Sequence, residues 1–136
     1  MDLAREKILL VSHIKAGLWL PSGGHVEQDE HPKLTAEREL AEELNLLPEF
    51  LSEAPLFLTQ TVTVGQTAAH TDVSLWYVLK GDSREELVYD QTEFNGYRWF
   101  GYDEILQGDP SDFDPHMNRF IRKLLESELL KVSCLS

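Results

Sequence analysis

The sequence predicts a single domain, residues 1–136, of the α/β (α+β) class, in which helices pack on a mixed β-sheet. Short apolar segments rich in β-branched residues alternate along the chain with two longer segments of helical periodicity. The 136 residues are 42% hydrophobic, which suffices for one sizeable core and is too little for two. No repeat or linker divides the chain, so we expect one sandwich of sheet and helices.

The first half of the chain predicts two strands and one helix. Lys7–Ile14 is apolar and β-branched, and Leu18–Leu20 is a shorter apolar segment that ends before a proline. Pro32 suits the first turn of a helix, where its missing N–H group costs nothing, and the helical pattern continues to Leu44. Asn45 then stands where helices commonly end in a left-handed residue, a conformation that asparagine tolerates.

The second half predicts further strands and two helices. Apolar and aromatic residues predict strands at Leu56–Val64, Asp72–Leu79, Leu87–Tyr89 and Tyr97–Phe100. A short helix is expected at Tyr102–Gln107, and a last helix with Asp114 as its cap and Pro115 as its first residue. One apolar stripe of that last helix is expected to pack into the core: Met117, Phe120, Ile121, Leu124 and Leu125.

The net charge limits which molecules the protein is expected to bind. The formal net charge is −12, so binding to duplex nucleic acid is unfavourable, and any phosphate substrate needs cations at its site. Cys134 is the one cysteine and closes no internal disulfide, which fits a reducing compartment. We see no signal peptide and no apolar run of the roughly 18 residues that a membrane span needs, so a cytoplasmic protein is expected.

The predicted first helix gathers carboxylates on one face. At about 100° per residue, Glu39, Glu42 and Glu43 point the same way, at a cost of a few tenths of a kcal/mol per like-charge pair. A hard divalent cation such as Mg²⁺ or Mn²⁺ explains that arrangement, because it prefers oxygen ligands. Glu30 and the carbonyl of Gly24 are further candidate ligands. The alternative is a solvated acidic helix face on which an arginine forms a surface ion pair.

The spacing of this stretch is specific. It resembles the Nudix box, Gly-x5-Glu-x7-Arg-Glu-U-x-Glu-Glu-x-Gly-U, where U is a bulky aliphatic residue. Every defined position matches except the final glycine, which is asparagine here. The matching residues are Gly24, Glu30, Arg38, Glu39, Leu40, Glu42, Glu43 and Leu46, and the departure is Asn45.

The resemblance implies roles for these residues. Glu39, Glu42 and Glu43 would be metal ligands, with a carbonyl from Gly23 or Gly24. Glu30 would support the metal-bound water or pair with an arginine. That arginine, Arg38, would orient the carboxylates through a bidentate contact. The acid that takes a proton from water would be Glu43 within the box or Glu93 in a later loop, with Asp90 as competitor to Glu93.

Substrate class follows only by elimination. The Nudix family hydrolyses nucleoside diphosphates linked to another group, using Mg²⁺ or Mn²⁺. Members that act on ADP-ribose or on dinucleoside polyphosphates often carry a proline or a tyrosine past the box, and Thr61–Thr63 stands there instead. A nucleoside triphosphate giving a monophosphate and pyrophosphate is therefore expected. A nucleotide-binding module without turnover, or a hydrolase of a nucleotide sugar or ADP-ribose, stays open.

Three further residues are candidates for contact with this small-molecule nucleotide. His13 and Lys15 could meet phosphate or base, and Trp76 could stack on the base.

One feature departs from the family. Nudix members usually have a strand before the one predicted at Lys7–Ile14, and only Met1–Arg5 precede it here. Three explanations stay open: a start recorded too late, a truncated chain, or a partner that fills the gap. An unfilled edge exposes backbone hydrogen-bonding groups and favours association, so we expect a homodimer or an altered edge.

Overall fold

The computed structural model describes residues 1–63 and 70–127, without the side chains of 61–63 and 70–72. It contains five strands and three α-helices. The strands are β1 (Lys7–His13), β2 (Leu18–Leu20), β3 (Phe57–Thr63), β4 (His70–Trp76) and β5 (Phe94–Gly101). The helices are α1 (Pro32–Leu44), α2 (Tyr102–Gln107) and α3 (Met117–Glu126), with a 3-10 turn at Pro110–Asp112.

The strands form two antiparallel sheets. One has the order β2-β1-β5, and the other pairs β3 with β4. In the first sheet Leu9 lies opposite Trp99 and Val11 opposite Tyr97, while Val11 also faces Leu20 of β2. In the part of the chain that the structure describes, the one parallel pairing is the isolated bridge between Trp19 and Phe113.

Alternation along β1 separates two core clusters, one on each face of the sheet. Ile8 and Leu10 belong to a cluster that includes residues of α2 and α3, whereas Val11 packs with Leu44 of α1 and with Phe94. Helix α1 therefore covers one face, and α2 and α3 cover the other. The sequence-predicted class, a sandwich of helices on a sheet, is confirmed.

Local signals fix the ends of α1 where the sequence predicted them. Pro32 is in the first turn, and the His31 side chain accepts a hydrogen bond from the Lys33 N–H. Asn45 ends the helix with φ of 53°, in the left-handed region. The orientation of every side chain on α1 follows from this fixed register.

Other expectations were wrong in detail. Leu87–Tyr89 forms no strand: the Leu87 N–H donates to the Tyr97 hydroxyl, and β5 begins earlier than predicted, at Phe94. Helix α3 begins at Met117 rather than at Pro115, because the Asp114 carboxylate and carbonyl hold a turn that precedes the helix. In the predicted stripe Leu125 is 44% exposed, and its other four members are buried.

Met1 and Asp2 lie between the two sheets. Asp2 pairs with Lys7 at the start of β1, and Met1 hydrogen-bonds to Leu79 and Gly81, just past β4. Among residues 1–63 and 70–127, none of the helices is long and apolar enough to cross a membrane.

Candidate active site

A cleft of about 480 Å³ opens where the end of β1, the glycine turn after β2 and the second half of α1 meet the loop before β5. Acidic side chains from three separate segments line it, together with one arginine. The lining residues are His13, Leu20, Pro21, Gly23, Gly24, His25, Glu27, Arg38, Glu39, Glu43, Glu93 and Phe94.

Arg38 organises the acidic side of the cleft. Its guanidinium donates to both carboxylate oxygens of Glu30, from Nε at 3.0 Å and from Nη2 at 3.1 Å, and Nη1 donates to Oε1 of Glu39 at 2.9 Å. Nη2 also donates to the carbonyl of His25, which ties the glycine turn to α1. The Arg38 hydrogen bonds, followed by one from Thr35, lower the pKa of Glu30 to about 2.

Glu43 is the buried carboxyl of the site. It is 5% exposed, and its Oε1 accepts hydrogen bonds from the Gly23 N–H at 3.2 Å and the Ser22 hydroxyl at 3.3 Å. Burial, followed by the nearby charges of Glu39 and Glu93, raises the pKa of Glu43 to about 8. The two hydrogen bonds oppose this rise and are smaller effects. No described residue forms a salt bridge with Glu43, so no protein cation would compensate its negative charge if it ionised.

Glu39 and Gly24 are in close contact. A Cβ added at Gly24 would overlap the Glu39 carboxylate, whereas one added at Gly23 meets nothing within 4 Å. Glycine at position 24 therefore lets backbone and carboxylate approach as the oxygen ligands of one ion must.

The donor set fits a hard divalent cation in chemistry: carboxylates, a close backbone turn and a buried carboxyl, Glu43, that lacks a cationic partner among the described residues. In the described part of the chain, however, no three acidic, histidine or cysteine side chains converge tightly enough to hold an ion. Arg38 accounts for this, because it pairs with Glu39 and also approaches Glu42 at 3.6 Å. The Glu42 side chain is 60% exposed. Coordination of one ion by these carboxylates would require Glu39 and Glu42 to turn from the guanidinium toward Glu43.

Asp90 and Glu93, the competing candidates for the acid that takes a proton from water, both lie in the loop before β5 but differ in their contacts. Asp90 uses its carboxylate locally, since it accepts hydrogen bonds from the Thr92 N–H and hydroxyl, and its own N–H donates to the carbonyl of Glu43. Glu93 lines the cleft near enough to raise the pKa of Glu43. The geometry favours Glu93 over Asp90 as a group that reaches substrate.

The three candidate substrate contacts lie in different places. His13 lines the cleft; its Nδ1 accepts from the Ala16 N–H, and its ring meets Phe94 edge-on at 5.9 Å. Lys15 is exposed in the turn between β1 and β2 and is not among the residues lining the cleft. Trp76 packs against Phe57 and Phe120 and donates to the Thr59 hydroxyl, and it is not among the residues that line the cleft.

The sequence did not predict two hydrogen-bond donors to Glu43 or one histidine that lines the cleft. The Ser22 hydroxyl and the Gly23 N–H hold the Glu43 carboxylate, and His25 lines the cleft. The turn they belong to was recognised, but only the folded chain shows that it closes over the end of α1.

The comparisons with known proteins agree with this architecture. The chain matches the NUDIX domain family over residues 2–124. A MutT NUDIX hydrolase from Burkholderia pseudomallei is 20% identical, with a TM-score of 0.69 over 87% of this chain and 88% of that one. An Ap4A hydrolase from C. elegans is 18% identical, with a TM-score of 0.67 over 92% and 88%. A NUDIX family hydrolase from Clostridium perfringens is 20% identical, with a TM-score of 0.62 over 93% and 89%. No curated protein matches the chain.

Fold, cleft and family match together define the class of protein: a hydrolase that acts on phosphoanhydride bonds. The chain belongs to the NUDIX domain family. Hydrolases of this family generally act on small-molecule nucleoside diphosphate derivatives and use divalent metal ions.

Proposed function

We propose that the chain hydrolyses a nucleoside triphosphate to a nucleoside monophosphate and pyrophosphate, with Mg²⁺ as its cofactor and Mn²⁺ as a substitute. The observation that carries the proposal is the buried, uncompensated carboxyl of Glu43 beside Glu39 and Glu93 in the cleft. A protein of formal net charge −12 can hold a polyphosphate there only if cations enter with it.

In this proposal Glu39, Glu42 and Glu43 hold the metal, the Gly24 carbonyl adds a ligand, and Glu30 acts through Arg38. When bound, the divalent ion neutralises phosphate oxygens and lowers the pKa of water. The chain's own contribution is alignment: Arg38 fixes Glu30 and the turn at His25, and so sets the floor of the cleft.

We assign removal of the proton from water to Glu93, with Glu43 held as a ligand. Glu43 is fixed by Ser22 and Gly23, which suits a ligand, whereas Glu93 stands on a loop and faces the cleft. The two roles separate experimentally. Glu93→Gln should lose turnover and keep Mn²⁺ binding, and Glu43→Gln should lose both. Loss of Mn²⁺ binding in Glu93→Gln would contradict the assignment.

His13 is the proposed contact for the substrate. Because Nδ1 accepts from the Ala16 N–H, the neutral ring carries its proton on Nε2, and this group can donate to an oxygen of phosphate or base. Lys15 is two residues further along the chain, exposed in the turn after β1, and would add a positive charge. We propose that both act in binding rather than in bond cleavage.

The choice of a triphosphate is supported by the missing side motifs and by one structural neighbour. This neighbour is the E. coli dihydroneopterin triphosphate pyrophosphohydrolase, 14% identical with a TM-score of 0.66 over 88% of each chain. Ap4A hydrolases are also among the neighbours, so dinucleoside tetraphosphates must be assayed beside triphosphates. We further propose that the chain works as one domain in the cytoplasm, where its single cysteine stays reduced.

The test is a release assay over a panel of nucleoside triphosphates, dinucleoside tetraphosphates, ADP-ribose and nucleotide sugars, with Mg²⁺, with Mn²⁺ and with chelator. Pyrophosphate and a monophosphate should appear from a triphosphate, and only with metal. Binding of nucleotides without turnover of any would establish the binding-module alternative instead.

A further inference from the structure

Asp90 joins the end of helix α1 to the loop that carries Glu93. Its N–H donates to the carbonyl of Glu43 at 2.9 Å, and its own carbonyl accepts from the N–H groups of Glu93 and Phe94, at 3.2 and 3.0 Å. The last carbonyls of a helix have no partner inside the helix, and the bond from Asp90 satisfies one of them. Glu43 and Glu93, two cleft carboxylates from separate segments, are thereby connected through the backbone of one residue.

The carboxylate of Asp90 holds the same turn closed. Its Oδ1 accepts hydrogen bonds from the Thr92 N–H at 2.9 Å and from the Thr92 hydroxyl at 2.5 Å. Aspartate and asparagine both form such a turn, because each presents an acceptor oxygen to the backbone two residues further on. Asp90 therefore uses its N–H, its carbonyl and its carboxylate to fix the chain that leads into Glu93.

A further hydrogen bond fixes the chain at Glu93 itself. The Glu93 carbonyl accepts from the N–H of Ile14, the residue that follows β1, at 2.9 Å. The Glu93 backbone is therefore held by Asp90 on one side and by Ile14 on the other, although the residue is exposed and lies in a loop. An acid that takes a proton from water must lie within about 3 Å of that water, so the position of this backbone limits where the carboxylate can act.

We propose that Asp90 is a positioning residue, which sets the place of the Glu93 carboxylate relative to Glu43 through the turn at Thr92. It acts through its backbone and its Oδ1 acceptor, and it takes no proton from water itself. The two acids of this loop thereby have different tasks: Glu93 lines the cleft, and Asp90 holds it there. This inference rests on the role proposed above for Glu93.

An equivalent turn elsewhere in the chain supplies a matched control. Asp109 accepts at Oδ1 from the Ser111 N–H at 2.9 Å and from the Ser111 hydroxyl at 2.8 Å, and its carbonyl accepts from the Asp112 N–H. Both turns have an aspartate, any residue, a hydroxyl residue and an acid in that order, but the turn at Asp109 is not among the residues that line the cleft. Asp109→Ala therefore reports the general cost of opening such a turn.

The test measures pyrophosphate release by the full chain from an equimolar mixture of the common ribonucleoside and deoxyribonucleoside triphosphates, with Mg²⁺. Asp90→Ala should lower the apparent kcat by about tenfold to 100-fold, because a displacement of about 1 Å is costly in a reacting group. Its apparent KM and its affinity for Mn²⁺ should stay unchanged. Asp90→Asn keeps the Oδ1 acceptor and should restore most of the turnover, and Asp109→Ala should match the wild-type protein in kcat.

A double variant tests whether Asp90 acts through Glu93. If it does, adding Asp90→Ala to Glu93→Gln should change the remaining turnover by less than about twofold, because residues that act as one unit are not additive. Thr92→Ala, which removes only the hydroxyl donor, is the milder variant if Asp90→Ala does not fold. It should lower kcat in the same direction, and Thr92→Ser should restore it.

An Asp90→Asn variant as inactive as Asp90→Ala would overturn the inference, since the acid itself would then be needed. Wild-type turnover in Asp90→Ala, with turnover lost in Glu93→Gln, would overturn the inference and leave the role of Glu93 standing. A further large loss in the double variant would show that Asp90 acts by another route. Wild-type turnover in Glu93→Gln would instead refute the proposed role of Glu93, and the inference with it.

Discussion

Arg38 donates two parallel hydrogen bonds to Glu30, from Nε to Oε2 at 3.0 Å and from Nη2 to Oε1 at 3.1 Å. The same guanidinium reaches Glu39 and the His25 carbonyl, so one side chain joins the loop, the turn and the helix. A planar, five-donor group can hold all of these at once, and an ammonium cannot.

Arg38→Lys should therefore keep the positive charge and lose the set of hydrogen bonds that joins Glu30, Glu39 and the His25 carbonyl. We expect turnover to fall by about 10-fold to 100-fold, with a weaker apparent affinity for Mn²⁺. Steady-state kinetics with a Mn²⁺ titration measures both effects. Lys123→Arg, on the exposed side of α3, is the matched control and should change neither. Full activity of Arg38→Lys would show that charge alone suffices.

Alanine substitutions at the neighbouring glycines Gly23 and Gly24 test the position of the Glu39 carboxylate. Gly24→Ala places a Cβ against the Glu39 carboxylate, while Gly23→Ala meets open space and retains the N–H group that donates to Glu43. Displacing a metal-binding carboxylate by about 1 Å can cost about 100-fold in rate, so Gly24→Ala should lose activity and Gly23→Ala should retain most of it. Equal rates for the two variants would argue against the role of Glu39.

Glu42 is the most exposed member of the proposed metal set, so its loss should leave the fold intact. Glu42→Gln should lower turnover at least about 100-fold with little change in Tm, because a neutral amide is a poor ligand for Mg²⁺. Glu37→Gln, on the same helix and not among the carboxylates that pair with Arg38, is the control. An active Glu42→Gln variant would rule out this assignment.

Stability of the metal-free protein should depend on pH through Glu43. The pKa of this carboxyl rises from 4.5 to about 8 on folding, first through burial and then through Glu39 and Glu93. The fold therefore disfavours the ionised form, and Glu43's contribution to the free energy of unfolding is fully present below 4.5 and is lost as the pH rises through about 8.

Thermal melts in chelator at about pH 6 and about pH 9 check this prediction. Tm should fall between them in the wild-type protein and fall less in Glu43→Gln, which stays neutral. Mg²⁺ should restore part of the loss at the higher pH, because it supplies the missing counter-charge. An identical fall in both proteins would contradict the raised pKa.

The local signals in the sequence predicted α1 to the residue. Pro32 begins it, Asn45 ends it, and the spacing of Glu39, Glu42 and Glu43 sets their common face. These features depend on φ preferences and on helical period, which a short stretch of chain carries by itself. The box spacing also predicted the family, which the match over residues 2–124 confirms.

Features that depend on distant segments were decided only in the folded chain. From the sequence, Trp76 is a candidate both for stacking on a base and, more often for such a residue, for the core. In the folded chain it packs against Phe120, more than forty positions away in sequence. Leu87–Tyr89 has the composition of a strand but pairs with no strand among the described residues, and the Leu87 N–H donates to the Tyr97 hydroxyl instead. Burial of Glu43 likewise needs the turn at Ser22 and the loop at Glu93 to close around it. Periodicity and capping are local properties that the sequence determined; burial, electrostatic neighbours and strand pairing are long-range contacts, and those only the tertiary structure decided.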